Sequence, residues 1–155
     1  MEELNVSYNT IQYIVVGLGS ENYGIDISYV DNIVRMQHIT RIPRVQKEIK
    51  GVINLRGEVI PVVSIRIKMN LAEDEITDDT RIIIVKLESG ERIGIIVDNV
   101  KEVVTLSEDT IEKQSYDSKA GRASFISGIG KNGDGLISLL DMNLVFADKE
   151  KENNA

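Results

Sequence analysis

His38 is the only histidine, and cysteine is absent from the chain of 155 residues. A histidine can move protons near neutral pH, but here it has no thiol to activate. Serine and aspartate are plentiful, so counting alone leaves a Ser/His/Asp grouping open, yet no G-x-S-x-G elbow marks one. Asp26 and Asp98 follow similar apolar runs, and a carboxylate-dependent hydrolase would need them to converge in a cleft. The cluster Glu73-Asp74-Glu75 with Asp78-Asp79 lacks the spacing and the glycine of a calcium loop. It reads as a solvated loop, and His38 as an ordinary strand or loop residue. Gly128-Ile129-Gly130-Lys131-Asn132-Gly133 matches G-x-G-x-x-G, but Leu136–Leu140 after it is another strand. A pyrophosphate needs a helix N-terminus there, so the motif is a hairpin turn. Neither catalysis nor a cofactor or metal is expected.

Gly51-Val52-Ile53-Asn54-Leu55-Arg56-Gly57-Glu58-Val59-Ile60-Pro61-Val62-Val63 differs in kind. A cation stands at a hairpin tip, before a glycine and between two apolar strands. One account is a type I turn with a solvated arginine; the other is a cation held out for a partner. Pro61 has no amide to donate, which argues for a sheet edge or a bulge.

The elements that must position these residues are mostly strands. Valine and isoleucine together number 39, against two phenylalanines, five tyrosines and no tryptophan, and β-branched residues favour strands. Hairpins are expected for Gln12–Leu18 with Tyr23–Ile27, for Ile49–Leu55 with Val59–Val63, for Arg81–Leu87 with Arg92–Val97, and for Phe125–Ile129 with Leu136–Leu140. Helices should be few and short. Ser28 can cap a turn carrying Val30, Ile33 and Val34, Ser64 can cap Ile65–Leu71, and Asp141 can cap Met142–Phe146. Leu71–Thr80 and Gln114–Ala123 read as linkers, and segments 1–11 and 147–155 as flexible termini flanking one domain, 12–146.

The pattern also repeats. Ile14–Leu18 resembles Ile83–Leu87, Tyr23–Ile27 resembles Ile93–Val97, and Ile60–Ser64 resembles Ile137–Asp141, at offsets of about 70 and 77 residues. A hairpin cannot bury its apolar face alone, so two similar halves, read as two small β-barrels, would share a core. The formal charge of −7 makes nucleic acid and anionic membrane poor partners. No apolar run reaches the length of a signal or membrane span, so a cytoplasmic protein without membrane insertion is expected.

The run GVINLRGEVIPVV resembles the signature of the CheW-like domain family of chemotaxis coupling proteins, shared with the regulatory domain of the histidine kinase CheA. The surrounding order agrees: Ile25-Asp26-Ile27, then Val30–Val34, then Ile39–Pro43, and later Gly94–Asp98 with Val100 and Val103. The resemblance spans Gln12 to Phe146 and implies an all-β fold of two intertwined subdomains. These are two SH3-like five-stranded β-barrels packed around a common hydrophobic core, with a few short helices. It implies a non-enzymatic adaptor between methyl-accepting chemotaxis receptors and CheA, cytoplasmic and associated with membrane receptor arrays. By the same resemblance, receptor contacts fall at Val30, Gly51, Arg56, Gly57 and Val103, in a groove between the barrels. Kinase contacts fall at Asn32 and Ile33 and, after the Val103 strand, at Glu112 and Tyr116. A coupling protein of a non-flagellar surface-motility pathway and a small-molecule-binding β-barrel stay open as alternatives.

Overall fold

Each of the expected hairpins closes. In the computed structural model, which describes residues 9–113 and 125–146, β1 (Thr10–Leu18) returns as β2 (Glu21–Asp26) and is followed by β3 (Val30–Arg35). β4 (Ile49–Leu55) returns as β5 (Glu58–Ser64), which runs into the single turn α1 (Ile65–Lys68). The second half repeats this order with β6 (Arg81–Lys86), β7 (Arg92–Val97) and β8 (Asn99–Ser107). The two-residue β9 (Glu112–Lys113) comes next, then β10 (Ile126–Asn132), β11 (Gly135–Leu140) and α2 (Met142–Val145).

One sheet has the order β8-β1-β2-β11-β10-β9 and the other β3-β6-β7-β5-β4. Since β9 adds only two pairs at an edge, each sheet has five principal strands, as the SH3-like barrels require. The repeat pairs β1–β2 with β6–β7, β3 with β8, and β4–β5 with β10–β11. Each sheet therefore takes its first hairpin from one half of the chain and three strands from the other. The halves meet in each sheet through one parallel pair, β2–β11 or β7–β5, and one antiparallel pair, β1–β8 or β3–β6. Glycine eases close approach beside both parallel pairs: a Cβ on Gly24 would lie 2.9 Å from the Leu139 side chain across β2–β11, and one on Gly94 of β7 2.8 Å from Ile82 on β6.

Strand alternation divides the core. On β1, Tyr13 and Val15 point into their own barrel with Val104, Leu106, Ile137 and Leu139, while Ile14, Val16 and Leu18 face the shared centre. On β6, Ile82 and Ile84 fill the other barrel with Ile53, Ile60, Val62 and Ile96, while Ile83 and Val85 face that centre. Burial on both faces explains why these strands are continuous apolar runs.

Several expectations need correction. Val30, Ile33 and Val34 lie on β3, not on a helix; the preceding 3-10 turn, Ile27–Tyr29, is capped by Asp26, whose carboxylate accepts from Ser28 N at 2.9 Å. On β3 the bulge after Val30 sets Val30 against the shared core and Val34 against the barrel interior, while Ile33 is exposed, so the three do not share a face. β1 begins at Thr10, so Thr10 and Ile11, expected in the loose terminus, pair with Ser107 and Leu106. Ser64 and Asp141 do cap their helices. The first ends early because Asn70 turns to φ 61° and the amides of Asn70 and Leu71 close back on Ile67 O and Arg66 O at 3.1 and 2.8 Å. Leu71–Thr80 has no regular structure, but it is not all solvated: the buried Ser64 hydroxyl donates to Asp74, and Thr80 is buried. Pro61 stands on a strand with neighbours on both sides. The pairing of β5 with β7 begins only at Val62, so Pro61 needs no donor on that side.

Candidate functional site

The β4–β5 turn is as tight as a hairpin allows. Leu55 pairs with Glu58, leaving Arg56 and Gly57 as the loop, with φ of 54° and 83°. Positive φ at both residues makes this a type I′ turn, whose twist suits a hairpin, and not the expected type I. The Gly57 amide donates to Asn54 Oδ1 at 3.1 Å. Arginine in this conformation costs roughly 1 kcal/mol relative to glycine. The Arg56 side chain is exposed and has no salt-bridge partner among the described residues.

Arg92, the first residue of β7, ties this tip to the opposite edge of the sheet. Its Nε donates to Asp31 Oδ2 at 3.1 Å and its Nη1 to both Glu58 carboxylate oxygens at 3.1 Å. The hydrogen bond donated to Glu58 and the field of Glu58 and Asp31 push the guanidinium pKa further up. Asp31 is the extra residue of a bulge between Val30 and Asn32. One guanidinium thus links Asp31, next to Val30 on β3, to Glu58, the first residue of β5 after the Arg56-Gly57 loop.

Val30 is half-buried against the shared core, and Gly57 is exposed in open space. Gly51, expected among the exposed contacts, is buried. It sits at a bulge with φ 142°, where a Cβ would come within 2.1 Å of Thr40 O, and it admits the paired bonds between Thr40 and Val52 at 2.8 Å. Val103 is half exposed, on the edge strand β8 of the other sheet. Asn32 Oδ1 accepts from the Ile33 amide at 2.8 Å, and Ile33 is 37% exposed. Glu112 is exposed on β9, at the edge opposite β8, and Tyr116 lies outside the described residues. Val30, Arg56 and Gly57 thus share one end of one sheet; Val103 and Glu112 belong to the other sheet.

The two candidate acids are engaged elsewhere. Asp98 accepts from Arg66 Nε at 2.9 Å and from the Gly19 amide at 2.8 Å. Burial pushes its pKa up, but the Arg66 bond and the Gly19 amide outweigh it and hold the carboxyl below its ordinary range. Asp26 caps the turn before β3. The barrel interiors are filled with aliphatic side chains and, in one barrel, Tyr13, and G-x-G-x-x-G lies in β10 and its turn. Sequence reading missed Arg92 and Asp31. Their only signal was an arginine opening an apolar strand, and its partners lie 61 and 34 residues away in sequence.

Known proteins agree with this picture. The CheW-like domain profile matches residues 12–150. A "Chemotaxis protein CheW" from Bacillus subtilis is 39% identical, over 92% of this chain and 90% of that protein. One from Klebsiella aerogenes is 31% identical, over 90% and 83%. The crystal structure of the scaffolding protein TtCheW from Thermoanaerobacter tengcongensis superposes with a TM-score of 0.81 at 33% identity, covering 91% of this chain and 90% of that one. Matched by that profile over most of its length and 39% identical to one of its curated relatives, the chain belongs to the CheW-like domain family.

Proposed function

We propose that this chain is a non-enzymatic adaptor that couples methyl-accepting chemotaxis receptors to the histidine kinase CheA, working in the cytoplasm at receptor arrays. Family membership over residues 12–150 carries the reading, and relatives of nearly equal length are named as chemotaxis proteins. Val30, Arg56, Gly57 and Val103 are the proposed receptor contacts, with Gly51 shaping the sheet behind them. A helical receptor tip would bury aliphatic side chains beside Val30 and find a charged donor in Arg56. Asn32, Ile33, Glu112 and Tyr116 are the proposed kinase contacts. Arg92 is a positioning residue that keeps the Arg56 tip in register with Val30.

The test is a reconstitution with CheA and a receptor signalling fragment, reading kinase autophosphorylation. The wild-type chain should activate the kinase. Arg56→Asp should lose activation with an unchanged melting temperature and unchanged binary binding to CheA. Kinase activity indifferent to the wild-type chain would sink the proposal.

A further inference from the structure

The β10–β11 turn holds the one asparagine that precedes a glycine; every other asparagine in the sequence is followed by a residue with a side chain. Asn132 pairs with Gly135, which leaves Gly133 and Asp134 as the loop. Gly133 takes φ 62° and Asp134 is outside the left-handed region, the pattern of a type II′ turn. Asn132 and Gly133 are both exposed, and nothing lies within 4 Å of where a Cβ on Gly133 would sit. The Gly133 amide has no hydrogen-bond partner among the described residues. At the equivalent turn of the first half, Leu55 stands in the place of Asn132.

The Asn132 side chain is also a tie. Its Nδ2 donates to Glu102 Oε2 at 3.1 Å, joining the tip of this hairpin to β8, a strand with which β10 does not pair. A carboxamide supplies that donor, and an ionised carboxylate has none.

We propose that Asn132 is a site of spontaneous deamidation, and that the change cuts this tie. The Gly133 amide nitrogen gives its proton to hydroxide and bonds to Asn132 Cγ. The Cγ–Nδ2 bond breaks, and Nδ2 leaves as ammonia with a proton from water. The five-membered succinimide then takes up one water. Opening at Cγ gives aspartate; opening at the backbone carbonyl gives isoaspartate, which lengthens the main chain by one carbon. The net exchange is water in and ammonia out, with no oxidant or reductant. Glycine permits the attack because it sets no side chain against the incoming nitrogen. Aspartate then places a second carboxylate against Glu102, so repulsion replaces a hydrogen bond. Isoaspartate also disturbs the pairing of this position with Gly135.

Incubation of the full chain at neutral and mildly alkaline pH in water enriched in heavy oxygen, followed by peptide mapping, tests this. Asn132 should convert before any other asparagine, faster at the higher pH, to a mixture of aspartate and isoaspartate carrying the heavy oxygen. Asn132→Gln should lose the conversion, since attack would close a larger ring, and Gly133→Ala should slow it several-fold. The Asn132→Asp chain should melt below wild type, and Glu102→Gln added to it should restore the melt by returning a donor. An Asn132 that outlasts the other asparagines overturns the proposal. So does conversion to aspartate alone without dependence on pH, which would mean direct hydrolysis. An Asn132→Asp chain that melts with wild type overturns the loss of the tie.

Discussion

Two junctions tie the sheets together at equivalent places in the repeat, and they use different chemistry. After β5, Ser64 caps α1 and Arg66 reaches Asp98, which also receives the Gly19 amide of the β1–β2 turn. After β11, Asp141 caps α2 and Asn143 reaches Tyr29 at 2.9 Å and Glu88, beside the β6–β7 turn, at 3.4 Å. Burial pushes the Tyr29 phenol up; the Asn143 bond lowers it in part, and Glu88 raises it again, so it stays protonated as a donor. One junction is a half-buried ion pair, the other a chain of neutral bonds ending on a carboxylate. Cutting the first leaves the Asp98 charge with the Gly19 amide but no cation; cutting the second removes the Asn143 amide's bond to Tyr29 and its longer one to Glu88. The repeat preserves the place of the tie, not its chemistry.

Separating the halves should break this comparison most completely. Fragments 1–70 and 71–155 each hold strands of both sheets, so neither can complete a barrel. Each alone should lack a cooperative melt, and mixing them should recover β structure by circular dichroism. A fragment that melts cooperatively by itself would mean that the exchange of hairpins is not what holds the halves together.

Cutting each tie comes next. Arg66→Ala strands Asp98, whose side chain is only 23% exposed, and should cost about 2–3 kcal/mol in a urea titration. Asn143→Ala should cost about 1 kcal/mol, an ordinary hydrogen bond. Equal losses would show that charge does not distinguish the junctions.

Much of this architecture was legible in the sequence. Asn-Gly and Asp-Gly steps, and the Ser64 and Asp141 caps, are local signals that need no tertiary partner. The hairpin exchange was not legible, since period-two alternation says that a face is buried but not which strand lies beside it. The Arg56 tip could be read as a presented cation; the Arg92 bridge could not, because Asp31 and Glu58 come near it only after folding. Gly51 was singled out as a surface contact although its fit against Thr40 is what demands glycine.

A smaller effect separates two carboxylates near Arg66. Asp98 is held below its ordinary value of 3.8, so its contribution is present above that pH and lost as pH falls through the folded value. Asp74 is raised by burial; the bond from Ser64 and the cations Arg66 and Lys50 lower it in part but do not cancel the rise. Its contribution is full below 3.8 and lost as pH rises through its folded value, so at neutral pH its charge is a penalty. Asp74→Asn should therefore leave neutral stability level or raise it by less than about 1 kcal/mol. The gap between wild type and Arg66→Ala should narrow on acidification. Loss of stability at pH 7 in Asp74→Asn would mean that the charged form is favoured after all.

The least change in stability, and the sharpest use of the repeat, comes from its two edge strands. Ile33 pairs with Ile83 and Val103 with Ile14, and Ile14 and Ile83 correspond in the repeat, so Ile33 and Val103 are one position seen in two sheets. Both are exposed, at 37% and 50%, and aspartate at either should cost under about 1 kcal/mol. Equivalent geometry does not oblige equivalent partners, because neighbours differ: Ile33 stands beside the Asp31–Arg92–Glu58 bridge, whereas Val103 has Glu102 as neighbour, bonded to Asn132 at 3.1 Å. Ile33→Asp should weaken binary binding to CheA about tenfold or more, since a charge would be buried in an apolar contact. Val103→Asp should leave that complex intact and reduce kinase activation only when receptor is present. Urea titration of both variants separates unfolding from lost contact. If a folded Val103→Asp loses CheA while a folded Ile33→Asp keeps it, the partners are exchanged between the edges. If both variants lose the same partner, the repeat presents one surface twice.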